Sequence, residues 1–143
     1  MQNSPFPRIE KGVPPACARQ CPGRLRYIGF LDDKDGPIHK LVNEWKVALP
    51  LHAEAGTEPN VFYVPPLAPP RFDEKGEVDE STPRIPPEFL ESLFGSGVRQ
   101  ALETLKAERE KVKRGEKSEL MDLLIVYKWG DLFGPFDKDP ATV

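Results

Sequence analysis

Seventeen prolines in 143 residues, several of them paired, set the limits on what this chain can fold into. Proline fixes φ, lacks an amide donor and pushes the residue before it out of the helical region. The pairs Pro65-Pro66 and Pro69-Pro70 therefore demand an extended course, and the proline-rich stretch Met1 to Pro15 reads as extended too. Helices are confined to the spans between prolines. With 11 glycines and only 38% hydrophobic residues, the chain is loop-rich with a modest core, suited in length to one domain.

Within those limits the periodicity is legible. Arg24 to Leu31 alternates Leu25, Tyr27 and Gly29 against Arg24, Arg26 and Ile28, a strand pattern that ends at the turn cluster Asp32-Asp33-Lys34-Asp35-Gly36. Pro37 then opens an amphipathic helix to about Lys46, with Ile38, Leu41, Val42 and Trp45 on one stripe. From Val47 to Pro70 the chain is apolar and proline-rich, with a short strand at Asn60 to Val64, and needs a partner surface to lie on. Arg71 to Pro83 is charged and reads as a flexible linker.

The closing third is helical. Pro86-Pro87 starts a helix that carries Phe89, Leu90, Leu93 and Phe94 and stops at Gly95. A longer helix follows through Val98, Ala101, Leu102, Leu105 and Val112, supported by a Glu110 to Arg114 pair and ended by Gly115. Ser118 can cap a third, running to about Tyr127. Trp129, Leu132, Phe133 and Phe136 form an aromatic tail between glycines and prolines.

The two cysteines carry the only candidate chemistry. Cys17 and Cys21 stand in Pro15-Ala16-Cys17-Ala18-Arg19-Gln20-Cys21-Pro22-Gly23-Arg24. From spacing alone they are candidates for a metal cluster, for a disulfide, whose α carbons must lie about 4.4 to 6.8 Å apart, or for a thiol redox pair. Zinc is disfavoured, because His39 and His52 do not complete a finger spacing with them. Thiol redox chemistry lacks its usual C-x-x-C in a βαβ context.

The C-x3-C-P ending resembles the tail of the bacterial ferredoxin run C-x2-C-x2-C-x3-C-P, whose last cysteine ligates a different cluster from the ones before it. With Phe6-Pro7-Arg8-Ile9-Glu10-Lys11-Gly12 before it and Gly23 to Gly29 after it, the motif resembles the last cysteine motif of the iron-sulfur beta subunits of molybdenum enzymes of the DMSO reductase family. These include respiratory nitrate reductases and the selenate and chlorate reductases. The stretch Gly36 to His52, with Gly56 to Pro66, is similar above all to the dimethyl sulfide and ethylbenzene dehydrogenase branch. The resemblance runs from about Phe6 to the C-terminus.

That resemblance implies an α+β, loop-rich fold in four parts. Residues 1–36 hold a partial ferredoxin-type motif and strand, 37–70 a helix and wrapping loop, 71–85 a charged linker and 86–143 a helical segment with the aromatic tail. It implies that Cys17 and Cys21 are cofactor-binding metal ligands for 4Fe-4S or 3Fe-4S clusters of a complete subunit. In the family this motif begins C-x2-C, and those two cysteines would fall at Gln2 and Pro5. A 4Fe-4S cluster takes four thiolates, so this chain alone is expected to hold none. The chain reads as the C-terminal segment of an electron-transfer subunit, itself not an enzyme. Its implied partners are the remainder of the beta subunit, a molybdenum-containing alpha subunit and a haem-bearing or membrane subunit. The implied location is periplasmic, or else the cytoplasmic face of the membrane. A cluster-free interaction fragment with relic cysteines is the alternative.

Other classes are excluded or unsupported. Net charge is -3, from 20 basic and 23 acidic residues, so no basic stripe offers a path for nucleic acid. No apolar run approaches the roughly 20 residues of a membrane-spanning helix, and no signal-peptide apolar region opens the chain. P-loop, dinucleotide-binding and nucleophile-elbow motifs are missing. Arg24 and Arg26 either tune a nearby cluster or edge the strand toward solvent.

Overall fold

The computed structural model describes residues 11–67, 71–79, 83–125, 133, 136 and 138. Gln2, Pro5, Tyr127 and most of the aromatic tail lie outside the described residues. The chain divides into two compact units, one made of the residues up to Glu44 with those from Ser118 on, the other of Trp45–Lys117. The expected helical segment 86–143 is thus divided between them.

In the first unit a single turn of helix, α1 (Ala16–Arg19), follows Pro15. Helix α2 (Pro37–His39) starts at proline and passes into a π-helical turn, Lys40–Glu44, which buries Leu41. The amphipathic stripe read from the sequence is therefore real but ends at Glu44. The carbonyl of Leu31 accepts from His39 Nδ1 at 2.6 Å and from Asn43 Nδ2 at 3.2 Å. Both bonds fasten the turn at 31–36 to the helix behind it.

The closing helix α5 (Glu119–Leu124) also belongs to this unit. Ser118 caps it, the hydroxyl accepting from Met121 N at 3.1 Å, which satisfies an amide that has no intrahelical partner. Leu120 and Met121 are buried beneath it, and Lys40 Nζ donates to Glu119 Oε1 at 2.6 Å. Ser118→Ala is expected to destabilise the chain by about 1 kcal/mol, read as a lower urea midpoint, while Ser118→Asp keeps the cap.

The second unit is built on a helix pair. Helix α3 (Pro87–Phe94) starts on Pro87 and stops at Gly95, whose φ of 77° a side chain would strain. Helix α4 (Gly97–Lys113) follows at once. Leu90, Phe94 and Val98 form the core between them, with Leu49, Leu51, Ile85, Leu93 and Leu102 packed against it. Glu91 Oε2 accepts from Arg99 Nε at 2.9 Å and Nη2 at 2.6 Å, spanning the turn. The buried stripe of α4 ends at Leu105, leaving Val112 exposed. Arg114 pairs with Glu116, and Glu110 with Lys113, in place of the expected Glu110 to Arg114 pair.

The proline-rich stretch supplies part of its own cover. Val47, Ala48 and Pro65 are buried, and Leu49 and Tyr63 exchange backbone hydrogen bonds at 2.9 and 2.8 Å, in place of the strand expected at 60–64. His52 N donates to the Leu93 carbonyl at 2.8 Å, tying the loop to the end of α3.

Two expectations about strands are corrected. Arg24 to Leu31 forms no strand, since no other described strand lies beside it to complete a ladder. The sheet lies instead in the span read as linker, where β1 (Arg71–Phe72) pairs antiparallel with β2 (Val78–Asp79). Asp73 makes this hairpin: its Oδ1 accepts from Lys75 N and Glu77 N, both at 2.8 Å, and Gly76 takes φ 81°. Local turn chemistry here outweighs the charged composition.

Candidate functional site

The candidate site is the loop around Cys17 and Cys21. Pro15 has no amide to donate, so the chain can enter α1 without a lost bond, and the Pro15 carbonyl accepts from Ala18 N and Arg19 N, both at 3.1 Å. This single turn buries Ala18 against Phe133, Phe136, Tyr27 and Ile28. Cys17 on the same turn is exposed and Cys21, just beyond it, half-buried. Both are free thiols.

After Cys21 the chain reverses sharply. Arg24 N donates to the Cys21 carbonyl at 3.1 Å, and Arg24 itself takes φ 50°, the left-handed conformation. The Cys21 thiol sits beside this reversal. Its pKa is lowered, first by the amide of Leu25, then by the amide of Gly23, the charge of Arg26 and the amide of Arg24, with burial acting the other way. The loop is thus shaped to favour thiolate at Cys21, the form that ligates metals and reacts.

Arg26 serves both cysteines. Its Nη1 donates to the Cys17 carbonyl at 3.1 Å while its charge favours the Cys21 thiolate. Arg26 is itself exposed, and its guanidinium is held on the loop by that bond. The reversal at Arg24 was not read from the sequence. Its only local signal was Gly23-Arg24 after Cys21-Pro22.

A second bond holds the loop to the rest of its unit. Tyr27 is half-buried and its hydroxyl donates to the Leu123 carbonyl at 2.8 Å, near the end of α5. Burial pushes the Tyr27 pKa up to about 12. A raised folded-state pKa on an acid favours the neutral form, so this contribution is complete below the free value of about 10. It is lost as pH rises from there through about 12. Tyr27→Phe is expected to cost about 0.5–1.5 kcal/mol at neutral pH and to flatten the alkaline limb of a pH–stability profile measured by urea unfolding.

Two thiols on one loop, one of them in surroundings that favour thiolate, suit metal-bound sulfur. Among the described residues no three His, Cys, Asp or Glu side chains gather as a metal site. The loop therefore fits a cluster as a contributor of ligands and falls short of a complete set of four.

Comparison with curated proteins finds similar sequences among reductase and dehydrogenase subunits. The selenate reductase subunit beta of Thauera selenatis is 60% identical over 131 residues, covering 90% of this chain and 40% of that protein. The dimethylsulfide dehydrogenase subunit beta of Rhodovulum sulfidophilum is 59% identical over 128 residues, with 90% and 39% covered. This chain is a relative of oxidoreductase beta subunits. The respiratory nitrate reductase subunit beta of Haloferax mediterranei extends the relationship, at 56% identity over 125 residues. No family model matches. The chain spans about two fifths of the length of these curated relatives, so the beta-subunit relationship covers nearly all of this chain and the smaller part of each relative.

Proposed function

We propose that this chain is the C-terminal segment of an electron-transfer iron-sulfur subunit and contributes Cys17 and Cys21 as cluster ligands. The observation that carries the reading is the C-x3-C-P pair on one tight loop, with Cys17 exposed on a single helical turn and Cys21 just beyond it, ahead of the backbone reversal at Arg24. Its support is 60% identity to a selenate reductase beta subunit over 131 residues, 90% of this chain. When bound, a 4Fe-4S or 3Fe-4S cluster supplies a one-electron carrier.

The chain's own residues do the rest. The amides of Leu25, Gly23 and Arg24 and the charge of Arg26 favour negative charge at Cys21, and such surroundings raise a reduction potential. Buried Ala18 fixes the turn that carries Cys17. The remaining thiolates come from the remainder of the beta subunit. The assembled subunit passes electrons between a molybdenum-containing alpha subunit and a haem-bearing or membrane subunit, and catalysis belongs to the alpha subunit.

Anaerobic reconstitution with iron and sulfide tests this. The isolated chain is expected to hold less than one cluster per molecule, because it offers two thiolates against a demand for four. Co-produced with the cysteine-bearing portion of a beta subunit, it is expected to gain iron and a broad absorbance near 400 nm. A stable complex without iron would instead establish the cluster-free interaction reading.

A further inference from the structure

We propose that Cys17 and Cys21 form a two-coordinate site for a soft monovalent cation, Cu(I), complete within this chain. The site needs no ligand from another polypeptide and so goes beyond the iron-sulfur reading above. Two thiolates are half of what a 4Fe-4S cluster takes, but they are the full set for a closed-shell d10 ion that binds two sulfurs in a line. Thiolate is the soft ligand that Cu(I) shares with zinc and iron-sulfur clusters, and of these Cu(I) alone is satisfied by two.

The spacing of the thiols suits a bridging ion. Cys17 lies in α1, and the turn carries on past it: Gln20 N donates to the Ala16 carbonyl at 2.9 Å and Cys21 N to the Ala18 carbonyl at 3.2 Å. Side chains four apart on a helical turn share one face, with Cβ atoms about 5–6 Å apart. A disulfide takes Cβ atoms about 3.5–4.5 Å apart, so the pair is wide for direct sulfur bonding. Two sulfurs bound to one ion at about 2.3 Å each stand about 4.6 Å apart, a span that the same Cβ atoms can hold.

The turn is fixed before any metal arrives. Ala18, 2% exposed, packs against Phe133, Phe136, Tyr27 and Ile28, and Pro15 and Pro22 restrict the backbone on either side. Cys17 is exposed and Cys21 half-buried, so an ion can reach the pair from solvent. Among the described residues no third His, Cys, Asp or Glu side chain gathers with them.

Charge around the loop favours the product. From Lys11 to Leu31 the sequence holds four basic residues, Lys11, Arg19, Arg24 and Arg26, and no acidic one. Arg26 is tied to the loop by its bond to the Cys17 carbonyl at 3.1 Å. Binding releases the two thiol protons, forms two Cu–S bonds and leaves the metal as Cu(I), so the bound group carries a single negative charge. Nearby guanidinium charge stabilises that anion, whereas zinc on the same two thiolates would be neutral and still short of its tetrahedral set. An ion so held occupies both candidate cluster ligands, which makes this loop the point at which copper competes with cluster assembly.

Anaerobic titration of the full, reduced chain tests the site, with Cu(I) supplied as its acetonitrile complex in competition with the chromophoric chelator bicinchoninate. Native mass spectrometry is expected to show one copper on one chain. Cys17→Ser and Cys21→Ser are each expected to leave the circular dichroism unchanged and to weaken Cu(I) binding about a hundredfold or more, the upper end of what changes outside a ligand set cost. Ala16→Cys combined with Cys17→Ala keeps two thiols but carries one of them about 100° around the turn, and is expected to weaken binding about tenfold or more.

Copper bound only between two chains overturns the proposal, as does a serine variant with undiminished affinity. Equal binding by the moved pair overturns it too, because any two thiols would then suffice. Zn(II) binding as tight as Cu(I) would assign the loop to a tetrahedral metal instead. Iron reconstitution of the co-produced complex decides the cluster reading separately, so either can fail alone.

Discussion

Phe94→Ala is expected to lower the unfolding free energy of this chain by about 3–5 kcal/mol, the range for truncating a buried aromatic side chain. Phe94 is 9% exposed and sits in the cluster with Leu90 and Val98, where the last turn of α3 meets the first of α4. Truncation removes the ring from that cluster and leaves Leu49, Leu51 and Leu102 facing a void that Gly95 and the abrupt reversal after it give little room to close. The loss approaches the whole stability of a small domain, which is about 5–15 kcal/mol.

Phe89, on the same helix, supplies the control. It is 55% exposed, and Phe89→Ala is expected to shift stability by no more than about 0.5 kcal/mol. Urea unfolding of the full chain, followed by circular dichroism, should move its midpoint down by about 1 M or more for Phe94→Ala, given a slope of roughly 1–3 kcal/mol per molar urea. Equal shifts for the two variants would show that the helix pair is not held together by this cluster.

In the reconstituted complex, Cys17→Ala and Cys21→Ala are each expected to deplete one cluster, and not the same one. The reason is the C-x3-C-P ending, in which the last cysteine serves the other cluster. Each single variant should lose the iron of one cluster, and the double variant the iron of two, measured as iron per complex with low-temperature electron paramagnetic resonance to tell the two signals apart. A double variant no poorer in iron than either single one would place both sulfurs on one cluster. Arg26→Ala provides a graded companion: with the charge that favours the Cys21 thiolate removed, the cluster should remain and its midpoint potential should fall. An unchanged potential would confine Arg26 to its bond with the Cys17 carbonyl.

What could be read directly from the chain were the features written in neighbouring residues. Proline at the first helical position, glycine or serine at the ends and apolar side chains three and four apart define α3, α4 and α5, because helix hydrogen bonds close within four residues. The cysteine pair and its beta-subunit relationship were legible in the same way, as identities at fixed spacing. The hairpin at Arg71–Asp79 also carries a local signal, Asp73 with Gly76, that the charge of its neighbours obscured.

Tertiary structure decided what depends on a distant partner. Leu25 to Phe30 has strand-forming residues, but a strand exists only when another backbone lies beside it, and among the described residues none does. The division of the closing helices between two units turned on contacts across most of the chain, such as Tyr27 to the Leu123 carbonyl and Lys40 to Glu119, which no window of sequence contains. The surroundings of Cys21 depend on a backbone reversal at Arg24, a non-glycine residue for which a left-handed φ is uncommon. Sequence named the sulfur; only the folded backbone set that reversal beside it.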